Sequence, residues 1–314
     1  MRIPLLIDTD PGVDDALAIL MAFADPAHDV VGLTVTAGNI GLEHTVANTL
    51  KVCEVAGRGD VPVFPGAAKP LLSSPRHAAF LHGDDGFGDT GYAPARFPAQ
   101  PEHAALAILR LSHVHAGRLL LVTLGPLTNL ALALRLDPTL PQRVARVVAM
   151  GGAVTGRGNM TPVAEFNVYV DPEAAHVVLT EFPRIELVDW EVVMRHGMSH
   201  ATFEAWLDSG TPQAAFYAGI SAHTRRWAAK HRGGRWHSAD PLAMALALDP
   251  AGATEVLERP VSVELAGTVT RGAAVVDWGR QGGAPDNAGL LMAYDQARFE
   301  ARVHDALAFR SPTG

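Results

Sequence analysis

The segment Ile3–Asp15, IPLLIDTDPGVDD, joins a short apolar run to four carboxylates that fall within eight residues. Residues 3–7 are typical of a buried strand, and the apolar spacing over 13–23 indicates a helix. The carboxylates therefore lie where a strand ends and a helix begins. In open parallel sheets, ligands bind outside the carboxyl ends of the strands. This one segment thus predicts both the fold class and the position of a site.

Strands and helices continue to alternate beyond this segment. Apolar patterns predict strands at 30–36, 61–64, 119–123, 144–150 and 185–188, and helices at 43–56, 127–134 and 174–180. This order is typical of βαβ units and predicts an α/β fold, a Rossmann-like open, mostly parallel sheet flanked by helices. Helical patterns at 203–207, 213–231 and 241–248 predict a helical insertion in the C-terminal half. Because we find neither a repeat nor a linker, we expect residues 1–314 to form a single domain.

Composition and charge exclude several classes of protein. The chain has 314 residues, of which 48% are hydrophobic, so it can build a substantial core. Its 25 basic and 33 acidic residues give a net charge of −8, which argues against nucleic-acid binding. A single cysteine excludes an intrachain disulfide and fits a reducing compartment. With no export signal and no apolar run of ~20 residues, we expect a cytoplasmic protein that does not bind membranes.

The carboxylates Asp8, Asp10, Asp14 and Asp15 repel one another unless something offsets their charge. A pair at about 4 Å costs about 1 kcal/mol in water and about 4 kcal/mol at an effective dielectric of about 20. Helix capping contributes ~0.3–1 kcal/mol per Asp and accounts for one or two of them. A divalent cation accounts for more, because hard cations such as Ca²⁺ bind carboxylate and carbonyl oxygens. We favour a metal for Asp10 and Asp15, whereas a structural cap explains Asp8 equally well.

The same segment resembles the N-terminal motif of the nucleoside hydrolases of the inosine–uridine-preferring type. Further motifs of that family follow in order: Thr36–Asn39, His82-Gly83 with Gly86 and Gly88, Leu124–Asn129, Met150–Gly152, Asn159 with Ala164–Asn167, Asp171–Ala175 and Asp240–Leu242. Each match alone is weak, but together and in order they are strong. The resemblance implies an enzyme that hydrolyses the N-glycosidic bond of ribonucleosides to ribose and free base.

The resemblance also implies a role for each matched residue. Ca²⁺ is the expected cofactor, and its ligands would be Asp10, Asp15, Asp240 and the backbone carbonyl of Leu124. The metal would orient a water that attacks an oxocarbenium-like sugar, with Asp10 as the base that takes its proton. The other implied catalytic residue is His82, which would contact the nucleobase from a glycine-rich loop. The residues implied to bind the ribose are Asp14, Asn39, Met150, Asn159, Glu165 and Asn167. The family also implies a homodimer or homotetramer.

Simpler interpretations compete with several of these roles. Asp240 precedes Pro241 and suits a helix N-cap. The asparagines suit turns, and Met150 suits a core. His82 is also compatible with an exposed loop position that has no function.

The chain departs from the family pattern at Ala239. In the inosine–uridine-preferring type, a histidine stands immediately before the Asp-Pro pair and protonates the leaving base, which a methyl group cannot do. Three replacements fit the sequence. His237 lies two residues upstream, His223 lies on the preceding helical segment, and Trp227 lies one turn further along that helix, where it would stack on the base. An ordinary packed pair explains His223 and Trp227 equally well.

Two other classes of protein fit parts of the sequence. Asp8-Thr9-Asp10 resembles the start of haloacid-dehalogenase-like phosphatases, in which the first Asp is the nucleophile, although Gly12 does not fit that motif. A non-catalytic nucleoside- or sugar-binding protein would explain Asn39, Asn167 and Glu165. It would not explain the clustered carboxylates.

Overall fold

The computed structural model describes residues 2–231 and 233–309. The strands are β1 (Ile3–Thr9), β2 (His28–Val35), β3 (Val63–Pro65), β4 (Leu119–Thr123), β5 (Val144–Met150), β6 (Ile185–Val188), β7 (Met198–Ser199), β8 (Arg235–Trp236), β9 (Ala253–Arg259), β10 (Val261–Val263), β11 (Ala274–Val276) and β12 (Ala288–Tyr294). The helices are α1 (Val13–Ala24), α2 (Leu42–Val55), α3 (Ala79–His82), α4 (Ala104–Val114), α5 (Thr128–Leu136), α6 (Phe166–Val170), α7 (Pro172–Glu181), α8 (Trp190–Val193), α9 (His200–Leu207), α10 (Pro212–His231), α11 (Ala239–Leu248) and α12 (Gln296–Ala308).

Eight of the strands form one sheet in the order β3-β2-β1-β4-β5-β6-β12-β9. Neighbouring strands run parallel throughout, except that the edge strand β9 runs antiparallel to β12. The chain winds from β1 towards β3 on one side and from β4 towards β6 on the other. The carboxyl ends of β1 and β4 therefore meet at the point where the strand order reverses. The predicted mostly parallel, Rossmann-like sheet is confirmed, and α9 and α10 supply the C-terminal helical insertion.

The sequence patterns do not predict two strands of this sheet. The edge strand β9 carries Glu255, Glu258 and Arg259, so it lacks a clear alternation of apolar and polar residues. The strand β12 is apolar but follows a Gly- and Asp-rich stretch without a preceding helix, so the βαβ rhythm does not reveal it. The short strands β10 and β11 lie outside this sheet and form a separate antiparallel pair.

The side chains of β1 alternate between two cores. Leu5 and Ile7 pack with α1 and α11 on one face of the sheet, whereas Leu6 packs with α4 and α5 on the other. Helix α1 is buried at ten of its twelve positions and α11 at all ten. Their N-termini, which point to the carboxyl edge of the sheet, are therefore held in fixed positions. Among the described residues, no helix is both long and apolar enough to span a bilayer.

Candidate active site

A cleft opens at the carboxyl edge of the sheet, where β1, β4 and β5 end. The empty space between its walls, including the open solvent at its mouth, is about 820 Å³. Its lining combines carboxylates and amides with the rings of Phe80, Phe166 and Trp236. Such a lining suits a ligand with one polar part and one flat, less polar part.

Three carboxylates converge at the N-termini of two helices. Asp14 and Asp15 lie in the first turn of α1, and Asp240 lies in the first turn of α11. One oxygen of each lies within 4.8 Å of the others. The Thr9 hydroxyl at 2.5 Å and the Gly12 N–H at 3.0 Å both donate to the Asp15 carboxylate and fix it. The cluster thus contains two of the predicted metal ligands, together with Asp14, for which sugar binding is predicted.

Asp10 lies just before this cluster and is enclosed by backbone. Its Oδ2 accepts a hydrogen bond from the Asn39 backbone N–H at 2.7 Å. Its buried Oδ1 has no hydrogen-bond partner within residues 2–231 and 233–309. Gly38 and Gly125 pack so tightly on the carboxylate that a Cβ at either position would overlap it. A buried polar atom without a partner costs free energy, so Oδ1 is placed for a group that the chain does not itself supply.

Burial and mutual repulsion raise the pKa of these carboxyl groups. The pKa of Asp10 lies well above its usual range, first because the group is buried and second because of the charge of Asp15. Burial and the charges of Asp14 and Asp15 raise the pKa of Asp240 in the same way. Burial, followed by the charge of Asp14, raises the pKa of Asp15. A bound divalent cation offsets both effects, and these hard oxygen donors fit one.

We predict that the metal-free protein loses stability as the pH rises from about 5 to about 8. The pKa of Asp10, Asp15 and Asp240 is raised in the folded state, so the stability linked to their protons is present below the unfolded pKa and is lost as the pH rises through the folded pKa. Burial also raises the pKa of Asp8 and of Glu165 to about 7, which adds to the trend. We expect a loss of a few kcal/mol, because one unit of pKa corresponds to about 1.4 kcal/mol.

Calorimetric unfolding in the presence of a chelator at several pH values measures this dependence. Asp240→Asn is the matched variant and should flatten it, because the variant removes one group that titrates. Added calcium should raise the Tm more at the higher pH. A Tm that rises with pH without metal would contradict the prediction.

Two asparagines use their side-chain amide nitrogens for hydrogen bonds within the protein. Asn39 Nδ2 lies 3.2 Å from the Asp10 carbonyl and 3.2 Å from Asp15 Oδ2 and donates to both. Asn167 Nδ2 donates to the Leu124 carbonyl at 2.6 Å and to the Met150 carbonyl at 3.2 Å. Both residues line the cleft. Their amide oxygens are therefore the atoms suited to accept hydrogen bonds from ligand hydroxyl groups. The Leu124 carbonyl keeps a second lone pair for a further partner.

The other residues predicted to bind the sugar also line the cleft, but in different environments. Glu165 caps α6, where Oε1 accepts from the Asn167 N–H at 2.9 Å and Oε2 accepts from the Gly152 N–H at 2.9 Å. Met150 is buried at the end of β5, and Asn159 is exposed at the rim. Glu165 thus has a structural role that its sequence context does not predict.

His82 lies at the end of the short helix α3 and reaches the N-terminus of α1. Its Nδ1 accepts a hydrogen bond from the Val13 N–H at 3.1 Å, so the neutral ring carries its proton on Nε2. That Nε2 lies 4.0 Å from Asp14 Oδ1. Gly12 permits the contact, because a Cβ there would lie 2.7 Å from Nδ1. The residue is 4% exposed, so the alternative of an exposed loop histidine is wrong.

His223 and Trp227 do not line the cleft in the described part of the chain. His223 Nε2 lies 3.4 Å from the Phe80 carbonyl. The Trp227 ring packs on Phe80, with 5.9 Å between ring centroids. Their successors Thr224 and Ala228 line the cleft instead. The sequence therefore identifies the helix that borders the site. It assigns the wrong residues of that helix to the cleft, because the helix is turned about its axis by one residue, or about 100°, from the predicted orientation.

Asp8 points away from the cleft. It follows Leu6 in the strand alternation and faces α5, where Oδ1 accepts from Thr34 Oγ1 at 2.6 Å and from Asn129 Nδ2 at 2.9 Å. It is fully buried and is not among the described residues that line the cleft. A phosphatase nucleophile at this position would have no access to substrate, so the geometry argues against that alternative.

Comparisons with known proteins agree with this geometry. The family model of the inosine-uridine preferring nucleoside hydrolases matches residues 5–301. The chain belongs to this family. A relative with that name from Leishmania major is 38% identical over 279 residues, with 87% of each chain covered. The pyrimidine-specific ribonucleoside hydrolase RihA of Escherichia coli is 35% identical over 314 residues, covering 98% of this chain and 99% of the relative. A solved inosine-guanosine nucleoside hydrolase superposes with a TM-score of 0.91 at 31% identity, covering 99% of this chain and 100% of the other.

The chain is therefore a nucleoside hydrolase, an enzyme that cleaves N-glycosyl bonds of ribonucleosides, and neither a phosphatase nor a non-catalytic binder. Because members of this family act on nucleosides, the substrate of this chain is a small molecule of that class. Several residues of the cleft lie outside the predicted set, among them Trp190, Thr224, Trp236 and Ser238. Trp190 follows the end of β6, so the rule that sites lie at strand ends would have found it. The others come from the helical insertion and its exit, where no strand rule applies.

Proposed function

We propose that this chain hydrolyses ribonucleosides to ribose and free base in a Ca²⁺-dependent reaction in which Asp10 acts as the base. The observation that carries the proposal is the buried Asp10 Oδ1, which accepts no hydrogen bond from the described residues and belongs to the residue that precedes, in the sequence, the converging carboxylates of Asp14, Asp15 and Asp240. A binding protein needs polar contacts to a sugar, but it has no need for three carboxylates whose oxygens converge within 4.8 Å of one another. An enzyme that deprotonates water needs both the polar contacts to the sugar and a carboxylate that can take the proton.

The proposed calcium ligands are the carboxylates of Asp10, Asp15 and Asp240 and the carbonyl oxygen of Leu124. All are hard oxygen donors, and the raised pKa of each carboxyl supports a site that needs positive charge. When bound, Ca²⁺ lowers the pKa of a water and fixes its position. Asp14 belongs to the same cluster, and we assign it to the ribose hydroxyls because it is the least buried of the three carboxylates in that cluster.

In the proposed reaction, the proton of the attacking water passes to Asp10 while the water oxygen bonds to the anomeric carbon. The Asn39 N–H holds Oδ2, so the carboxylate cannot rotate away from the water. Asn39, Asn167 and Glu165 bind hydroxyl groups of the ribose and favour the positive charge that develops on its ring. Met150 and Asn159 complete the ribose contacts. His82 contacts the nucleobase, and its Nε2 faces Asp14 Oδ1 at 4.0 Å.

Three further features belong to the proposal. The chain forms a single domain, works in the cytoplasm and assembles as a homodimer or homotetramer. The exposed apolar side chains Leu72 and Val269, each 79% exposed, are compatible with an interface that would cover them. Light scattering after size-exclusion chromatography measures the oligomeric state.

We expect purified protein to release ribose from at least one of inosine, adenosine, uridine and cytidine. A chelator should abolish the release, and calcium should restore it, because the carboxylates need a cation to act together. Reducing-sugar assays and isothermal titration with calcium measure the two effects. Asp10→Ala serves as the inactive control. Ribose release that persists in chelator-treated protein shown by elemental analysis to be metal-free would contradict the calcium proposal.

A further inference from the structure

The inference drawn here rests on the proposed function and concerns the fate of the nucleobase. When the bond between C1′ and the base nitrogen breaks, its electron pair stays on the base. An anionic base is a poor leaving group, so a side chain that supplies a proton lowers the barrier. The residue immediately before Asp240 is Ala239, which is buried and lines the cleft but has no proton to give.

Among the described residues that line the cleft, the titratable ones are Asp14, His82, Glu165, His237 and Asp240. Asp14 and Asp240 belong to the carboxylate cluster. Both oxygens of Glu165 accept backbone N–H groups, from Asn167 and Val168 at the start of α6 and from Gly152. The two histidines are therefore the candidates for a proton donor.

Both ring nitrogens of His82 face residues in the first turn of α1. Its Nδ1 accepts from the Val13 N–H, and its Nε2 faces Asp14 Oδ1 at 4.0 Å. At 4.0 Å these two atoms are too far apart for a hydrogen bond, so Asp14 acts on an Nε2 proton only through its charge. The charge of Asp14 favours keeping a proton on His82, so this ring is the poorer proton donor to the base.

His237 lies on a segment that is held from both sides. Its neighbour Trp236 pairs with Met198 between β7 and β8, and its indole stacks on Phe203 at 5.5 Å with 21° between the ring planes. The imidazole packs on Gly197, where a Cβ would lie 2.5 Å from Nε2. Three residues further on, Asp240 lies in the first turn of α11 and belongs to the carboxylate cluster. The ring is thus fixed in the lining of the cleft, close in sequence to the metal-binding residues and supported by the helical insertion.

We propose that His237 is the catalytic acid that protonates the departing nucleobase. The C1′–N bond breaks, its electron pair stays on the base, and the proton of the His237 imidazolium moves to the base. The water oxygen bonds to C1′, and its proton moves to Asp10. Solvent then returns a proton to His237 and takes one from Asp10, so the net reaction consumes one water. His223 and Trp227, which fit this role equally well by sequence, do not line the described cleft.

The test compares two substrates with one variant. His237→Ala should lower kcat for natural nucleosides by about 10²-fold, the lower end of the effect of a general acid. It should cleave p-nitrophenyl riboside at the wild-type rate, because that leaving group departs as a stable anion. The double variant His237→Ala/Ala239→His should recover part of the lost activity. His176→Ala, which removes an exposed histidine of α7, is the matched control and should match the wild type on both substrates.

Each outcome bears on the inference. Wild-type activity of His237→Ala on natural nucleosides would overturn it, and so would an equal loss on both substrates, which indicates a merely structural role. Selective loss on natural nucleosides supports it. If the wild-type protein with calcium cleaves the p-nitrophenyl riboside but no natural nucleoside, the assignment of His237 falls while the hydrolytic site stands. If it cleaves neither, the proposed function itself fails.

Discussion

Asp10→Asn is expected to lower kcat for ribose release by about 10³-fold, within the range of a lost general base. Asparagine has nearly the same shape, and its side-chain oxygen can still accept the Asn39 N–H that now binds Oδ2. The substitution therefore removes the charge and the basic oxygen with little disturbance of the fold. Because it also removes a proposed metal ligand, the calcium affinity should fall at the same time.

The two effects are separated by measuring kcat at saturating calcium and the calcium affinity by titration. Asp208→Asn, at an exposed position after α9, is the matched control and should change neither quantity. If Asp10→Asn keeps a kcat within about tenfold of the wild type at saturating calcium, Asp10 is not the base, since such a loss lies below that expected for a general base.

The part of the site that the sequence predicts follows from one rule. Parallel strands end at the same edge of the sheet, so residues that directly follow separate strands meet in space. Asp10 follows β1, Asn39 follows β2, Leu124 follows β4, and Met150 ends β5. Hydrophobic periodicity is enough to find these strand ends, but the family resemblance is what singles out Asn39, Leu124 and Met150 there. These three line the cleft, and Asp10 borders it through the Asn39 N–H.

The other features of the site depend on contacts between distant parts of the chain, which no local sequence pattern predicts. The His82 ring meets the Val13 N–H across 69 residues of chain. The rotation of α10, which turns Thr224 rather than His223 to the cleft, is set by how the helix packs on its neighbours. The capping role of Glu165 becomes visible only once α6 is known to begin there. Sequence patterns thus identify the elements that border the site, and tertiary packing decides which side chains face it.

Gly125→Ala is expected to reduce activity by at least about 10²-fold without touching a side chain that performs chemistry, because a misplacement of about 1 Å can cost that much. A Cβ at this position would overlap Asp10 Oδ1, and the backbone of Gly38 packs on the other side of the same carboxylate. Because the Asn39 N–H also holds Oδ2, the carboxylate has no room to turn aside. The new methyl group must therefore displace Asp10 from the position in which we propose that it binds calcium and takes a proton from water. Overpacking of this kind costs about 1–3 kcal/mol, so a folded protein with a lower Tm should result.

Gly219→Ala is the matched control for Gly125→Ala. Gly219 lies within α10, and a Cβ there meets nothing within 4 Å. The control should leave activity unchanged and stabilise the helix by about 0.5–1 kcal/mol. Thermal unfolding, calcium titration and kcat, measured on both variants, separate displacement of the carboxylate from a general loss of folding. Unchanged calcium affinity and kcat in Gly125→Ala would show that Asp10 tolerates displacement, and the glycines would then serve only the packing of the sheet edge. A loss of both, in a protein that still unfolds cooperatively, would show that the two glycines hold the catalytic carboxylate in place.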